Sequence, residues 1–117
     1  MSDITIYHNP RCSKSRQTLD LLKEEGLDPV VIDYQKTPPA AEELDRICTM
    51  LDKGPLEVTR TQEKLFKELG LSKQDERSRA EWLRLLTENP KLIERPIVVN
   101  GDRAAIGRPP ENVRAIL

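Results

Sequence analysis

Cysteine and histidine are scarce in this chain: Cys12 and Cys48 stand 36 positions apart, and His8 is the only histidine. That spacing matches neither a zinc-binding nor a haem-attachment motif, so no metal site is expected, and two thiols cannot make the dense bridging of a disulfide scaffold. No apolar run approaches the length needed to span a bilayer. The start, Met1-Ser2-Asp3 and a short apolar run ending at Tyr7, lacks the basic and long hydrophobic regions of a secretory signal. An excess of one charge is also missing. With 19 Lys and Arg against 20 Asp and Glu, no whole-molecule field draws the protein onto nucleic acid or an anionic membrane. Any anion site has to be local. Neither a Gly-x-Gly-x-x-Gly loop nor a Gly-Lys-Ser/Thr phosphate loop occurs, so no bound cofactor is expected. These absences leave the cytoplasm, where thiols stay reduced, as the expected location.

What is present fits a single domain over residues 1–117. Ile4-Thr5-Ile6-Tyr7 is β-branched or aromatic and is cut off by His8-Asn9-Pro10, which predicts a strand running into a tight connection. From about Ser13 to Glu25 the pattern is helical: Leu19 and Leu22 share a face, Leu21 flanks it, and Gly26 supplies the stop. Val30-Val31-Ile32 is too short for a helix and follows Pro29, so it reads as a second strand. Strand, helix, strand within so few residues makes a βαβ unit with parallel strands and a right-handed crossover.

Gln35 to Pro39 breaks the pattern, and a helical insertion is expected over about residues 40–92. Leu44, Ile47 and Leu51 are spaced for one helical face; Thr61 to Leu69 carries Leu65, Phe66 and Leu69. Ser78-Arg79-Ala80-Glu81 is a capping box before Trp82, Leu85 and Leu86. Strand character returns at Ile97-Val98-Val99, with Asn100-Gly101 as a hairpin turn before Ala104-Ala105-Ile106. A short last helix after Pro109-Pro110 carries Val113, Ile116 and Leu117. The order βαβ, helical insertion, ββα predicts an α/β fold with a mixed four-stranded sheet, the thioredoxin-like arrangement, which other α/β sandwiches share.

The chemistry gathers at Cys12. It lies just past a predicted strand and at the mouth of a helix, so its sulfur faces free backbone N–H groups and the positive end of the helix dipole, both of which favour the anionic form. The run from His8 to Arg16 adds Arg11, Lys14 and Arg16 with no carboxylate between them. Ser15 stands where the second cysteine of a Cys-x-x-Cys pair would be, so a redox cycle needs an external thiol. Cys48 falls beside an apolar stripe and reads as packing. His8 either tunes the thiolate as a nearby cation or ends the strand with its ring half exposed. Arg60, Arg95 and Arg108 are candidates for an oxyanion, since guanidinium groups bind tetrahedral anions through paired hydrogen bonds. Arg95 and Arg108 each precede a proline, which restrains the residue before it toward extended geometry.

His8-Asn9-Pro10-Arg11-Cys12-Ser13-Lys14-Ser15-Arg16, with Glu94-Arg95-Pro96-Ile97-Val98-Val99 and Gly107-Arg108-Pro109 far downstream, closely resembles the ArsC family of glutaredoxin-dependent arsenate reductases, across essentially the whole chain. The resemblance implies that Cys12 attacks arsenate, that glutathione joins the adduct as co-substrate, and that glutaredoxin releases arsenite. It also implies that Arg60, Arg95 and Arg108 hold the oxyanion, that His8, Ser15 and Arg16 support the active loop, and that Arg95-Pro96 is a cis peptide. The chain departs from the family's usual pattern at Arg11, where a small residue is common, and at Lys14, where threonine is common. A phosphatase-like reductase is disfavoured, because its Cys-x5-Arg loop would need arginine where Thr18 stands. Two readings stay open beside the reductase: an Spx-like transcriptional regulator, whose usual Cys-x-x-Cys switch Ser15 removes, and a thiol- or glutathione-handling protein acting on another substrate.

Overall fold

The computed structural model describes residues 4–117. Two compact units are present: residues 4–37 together with 95–117, and residues 38–94.

The first unit is built on a four-stranded sheet. Strands β1 (Ile4–His8) and β2 (Val30–Asp33) flank helix α1 (Ser13–Glu24), and β3 (Ile97–Asn100) and β4 (Arg103–Ile106) form a hairpin. The sheet order is β2-β1-β3-β4. As the βαβ pattern predicts, β1 and β2 run parallel, with Tyr7 opposite Ile32, while β1 against β3 and β3 against β4 are antiparallel. This is the thioredoxin-like sheet. The hairpin turn sits one residue later than the Asn-Gly pair suggests: Gly101 and Asp102 make it, and Asn100 closes β3 with its side-chain amide donating to Ile116 O at 2.6 Å.

Period-two alternation puts Ile4 and Ile6 on one face of β1 with Val98 opposite Ile6. They join Leu21, Leu22, Val113 and Ile116 in one buried cluster, with Leu19 and Leu27 at its edge. Burying each of these large side chains contributes roughly 1.5–3 kcal/mol. Helix α1 ends where Gly26 at φ +79° lets Gly26 N–H reach Lys23 O and Leu27 N–H reach Leu22 O, a pair of bonds that satisfies carbonyls the helix leaves open. The C-terminal segment Pro110–Ile116 is a 3-10 helix rather than an α-helix; Val113 and Ile116 are buried and Leu117 is exposed.

The second unit is helical. It contains α2 (Ala41–Leu51), α3 (Lys64–Glu68) and α4 (Arg79–Glu88), with 3-10 turns at Pro55–Val58 and Pro90–Leu92. Ser78 caps α4 as its sequence predicts: its hydroxyl accepts Glu81 N–H at 3.2 Å while the Glu81 carboxylate accepts Ser78 N–H at 3.3 Å. Helices α2 and α4 pack together through buried Leu44 and Ile47 on one side and Leu83 and Leu86 on the other, and the Arg79 guanidinium donates to the Asp45 carboxylate at 2.6 Å. The third helix is shorter than the expected Thr61–Leu69 stretch; Phe66 is buried, but Leu69 is 43% exposed because the helix ends before it. Thr59 bridges Ile93, with Arg60 N–H on Leu92 O at 2.7 Å and Glu94 N–H on Val58 O at 2.8 Å. Among the described residues, no helix is long and apolar enough to cross a membrane.

Candidate active site

Strand β1 delivers the chain to the site, and a tight turn hands it to α1. Asn9 organises that turn. Its carbonyl accepts Cys12 N–H at 3.0 Å, its side-chain oxygen accepts Arg11 N–H at 3.0 Å, and its own N–H donates to Ser15 Oγ at 3.0 Å. Cys12 becomes the N-cap residue of a 12-residue helix in extended geometry, φ −94° and ψ 124°, with its carbonyl accepting Arg16 N–H at 3.0 Å. Its side chain makes no capping bond, so the thiol remains available beside the unpaired N–H groups of the first turn. No acidic residue occupies that turn. Cys12 is half-buried.

Behind the thiol lie His8 and Ser15, both buried and on neighbouring elements. His8 Nδ1 is 2.6 Å from Ser15 Oγ. That oxygen accepts Asn9 N–H and has both a proton and a second lone pair left for Nδ1, so the contact suits a neutral imidazole in either tautomer. Electrostatics agree. Burial lowers the His8 pKa from its ordinary 6.5, and Arg16 and Lys23 lower it further against the opposing pull of Asp33. His8 is therefore a buried neutral ring, 7% exposed, rather than a half-exposed one. Arg16 turns back over the loop and donates to Pro10 O at 2.9 Å.

The hairpin's far end supplies the cation. Arg108 Nη1 lies 3.8 Å from Cys12 Sγ and donates to Arg95 O at 3.3 Å, so residues 96 positions apart in sequence meet at the sulfur. Asn112 anchors this segment by donating to Arg108 O at 3.1 Å. Arg95 is half-buried, Pro96 is buried, and the Arg95–Pro96 and Arg108–Pro109 peptides are both cis. Arg60 belongs to the helical unit, where its guanidinium pairs with Glu63 and stands 3.8 Å from the Glu94 carboxylate. Cys48, inside α2, is wholly buried, and that burial raises its pKa. Next to the active loop, Asn9, Pro10, Arg11, Asp33, Gln35 and Lys36 line an open groove of about 370 Å³.

Sequence reasoning assigned no part in holding the site to the side chain of Asn9, to Thr18 or to Gly107. Asn9 carried a signal, an Asx side chain before proline in a turn. Thr18 did not, because a polar residue on a helix reads as surface.

The ArsC family profile matches residues 7–116, a span that holds both the Cys12 loop and the Gly107-Arg108-Pro109 segment. The chain belongs to the ArsC family. Relatives cover nearly its full length. It is 47% identical over 115 residues to the Escherichia coli protein named "Uncharacterized protein YfgD", covering 97% of this chain and 96% of that one. It is 45% identical over 115 residues to the Haemophilus influenzae protein named "Arsenate reductase", covering 97% of this chain and 98% of that one. Among solved structures, "Arsenate reductase from Vibrio cholerae" superposes with a TM-score of 0.92 at 47% identity, covering 97% of each chain. Within this ArsC chain, Cys12 and Arg108 meet, while Arg60 pairs with Glu63 in the helical unit.

Proposed function

We propose that the protein is an arsenate reductase in which Cys12 forms a covalent adduct with arsenic and in which glutathione and glutaredoxin supply the electrons. The observation that carries this reading is the placement of the Arg108 guanidinium 3.8 Å from the Cys12 sulfur at the N-terminus of α1. That arrangement suits an oxyanion: helix N–H groups and a guanidinium face the same volume as the nucleophile. The Cys12 thiolate attacks As(V) and an oxygen leaves as water after protonation. Glutathione displaces a second oxygen in the same way. A glutaredoxin thiolate then attacks the glutathione sulfur; the As–S electron pair stays on arsenic, which becomes As(III), and a mixed disulfide of glutathione and glutaredoxin carries the oxidation away. Water releases arsenite and returns the Cys12 thiol.

The need for outside thiols follows from Ser15, which removes a resolving partner at the helix start, and from Cys48, which is enclosed in α2. Arg95 completes the oxyanion site in this reading, by motif, and glutathione places the enzyme in the reducing cytoplasm. The test is arsenite formation from arsenate with glutathione and glutaredoxin, compared with thioredoxin as donor and with the Cys12→Ser variant. Turnover by the wild type that requires both glutathione and glutaredoxin supports the whole scheme, and turnover with thioredoxin in the absence of glutathione overturns the glutathione step. If no donor gives arsenite while Cys12 is still rapidly alkylated, the activated thiol serves another substrate.

A further inference from the structure

Helix α1 carries Cys12 at its mouth, and about a turn and a half further on its Thr18 meets Gly107, the residue before Arg108. Thr18 is completely buried. Its hydroxyl donates to Lys14 O at 2.8 Å and also lies 3.4 Å from Gly107 O. On the other side, Gly107 N–H donates to Pro96 O at 2.9 Å. The Gly107 backbone is thus clamped between α1 and the start of β3. A Cβ at Gly107 would stand 2.9 Å from Pro96 Cγ and 3.0 Å from Thr18 Cγ2, and closer still to Thr18 Oγ1. Real Cβ atoms essentially never come closer than 3.0 Å, so a side chain there has to displace the segment or the Thr18 and Pro96 side chains it meets. Arg108 is the next residue. Its contact with sulfur, at 3.8 Å, is already long for a hydrogen bond and has no slack to absorb an outward shift.

We propose that Thr18 and Gly107 are positioning residues, a close-packed seat whose dimensions hold the Arg108 guanidinium at the Cys12 sulfur. The proposal rests on the reading of Cys12 as nucleophile and Arg108 as its cationic partner, but its test does not require arsenate. Alkylation rates of Cys12 are measured with iodoacetate, an anion, and iodoacetamide, which is neutral, in a Cys48→Ala background. A guanidinium at the sulfur favours the anionic reagent, so the ratio of the two rates reports Arg108 directly and is insensitive to a loss of stability alone. Arg108→Ala sets the floor. Thr18→Ala opens a void under the seat and Gly107→Ala overfills it; each should lower the ratio toward that floor by about threefold or more, the size expected for moving one partly screened charge.

In the double variant Thr18→Ala with Gly107→Ala the new methyl occupies the space the threonine vacated, and the ratio should recover above that of either single variant. If the single variants fold and keep the wild-type ratio, the proposal is overturned. A double variant whose loss is the sum of the two singles also overturns it. Should Gly107→Ala fail to fold, Thr18→Ala alone decides, since an unchanged ratio there removes the seat's role. A wild type that makes no arsenite but shows these ratios would sink the reductase reading and leave the positioning intact.

Discussion

The molecule's two cysteines sit in opposite environments. Cys12 is the N-cap of α1, half-buried, with its thiol beside the N–H groups of the first turn and 3.8 Å from a guanidinium. Cys48 is in the last turn of α2, wholly enclosed, where burial disfavours the thiolate and the helix end presents carbonyls instead of N–H groups. Both are free thiols on amphipathic helices. In the proposed reading, what separates the nucleophile from the packing thiol is which end of the helix it occupies and whether solvent and a cation reach it.

The sharpest test of that contrast is Cys12→Ser, which should remove arsenate turnover altogether while the circular dichroism spectrum stays that of the wild type, since an alcohol supplies no comparable nucleophile at neutral pH. Full activity in that variant would end the mechanism. Arg108→Ala should come next, lowering kcat/KM for arsenate by roughly a hundredfold, the usual loss when one donor to a developing oxyanion is removed. An effect confined to stability would detach the arginine from the chemistry. Ser15→Ala strips the buried Asn9 N–H of its acceptor and should cost about 1–3 kcal/mol in urea unfolding, because the donor is left unsatisfied out of water. On the other side of the comparison, Cys48→Ala should lose only about 1 kcal/mol of stability, from a small cavity, and keep wild-type turnover. A loss of activity matching that of Cys12→Ser would instead make Cys48 a resolving thiol.

The smallest effect expected concerns pH. The folded pKa of His8 is below its ordinary 6.5 because the ring is buried. In the window just under 6.5 the unfolded chain binds a proton that the folded chain does not, so stability falls as the pH is lowered through it and is level above. His8→Gln should flatten that part of the stability profile measured by thermal unfolding from pH 5 to 8.

Much of this was legible from residue order. The strand that ends at His8, the parallel βαβ unit, the hairpin, the cap at Ser78 and the candidate thiol all follow from local rules, since turn chemistry, capping and periodicity act within a few residues. The inner faces of the helices were less legible. The spacing pointed to Leu69 and Leu85, whereas Leu69 is exposed and Leu83 is buried, because the short length of α3 and the packing of α2 on α4 choose the face that is covered. Thr18 shows the same limit from the polar side. A helix hides its hydroxyl by letting it donate to the carbonyl one turn back, so a polar residue takes a core position without cost to the pattern.

Sequence by itself therefore determined the elements, the thiol at a helix mouth, the missing second thiol and the pool of arginines, because each depends on neighbours in the chain. Only the tertiary structure decided that Arg108 is the arginine that meets Cys12, that His8 is neutral and buried, and that Thr18 and Gly107 touch. Two of those facts join residues 89 and 96 positions apart and the third depends on the packing that buries His8, and no local rule specifies either.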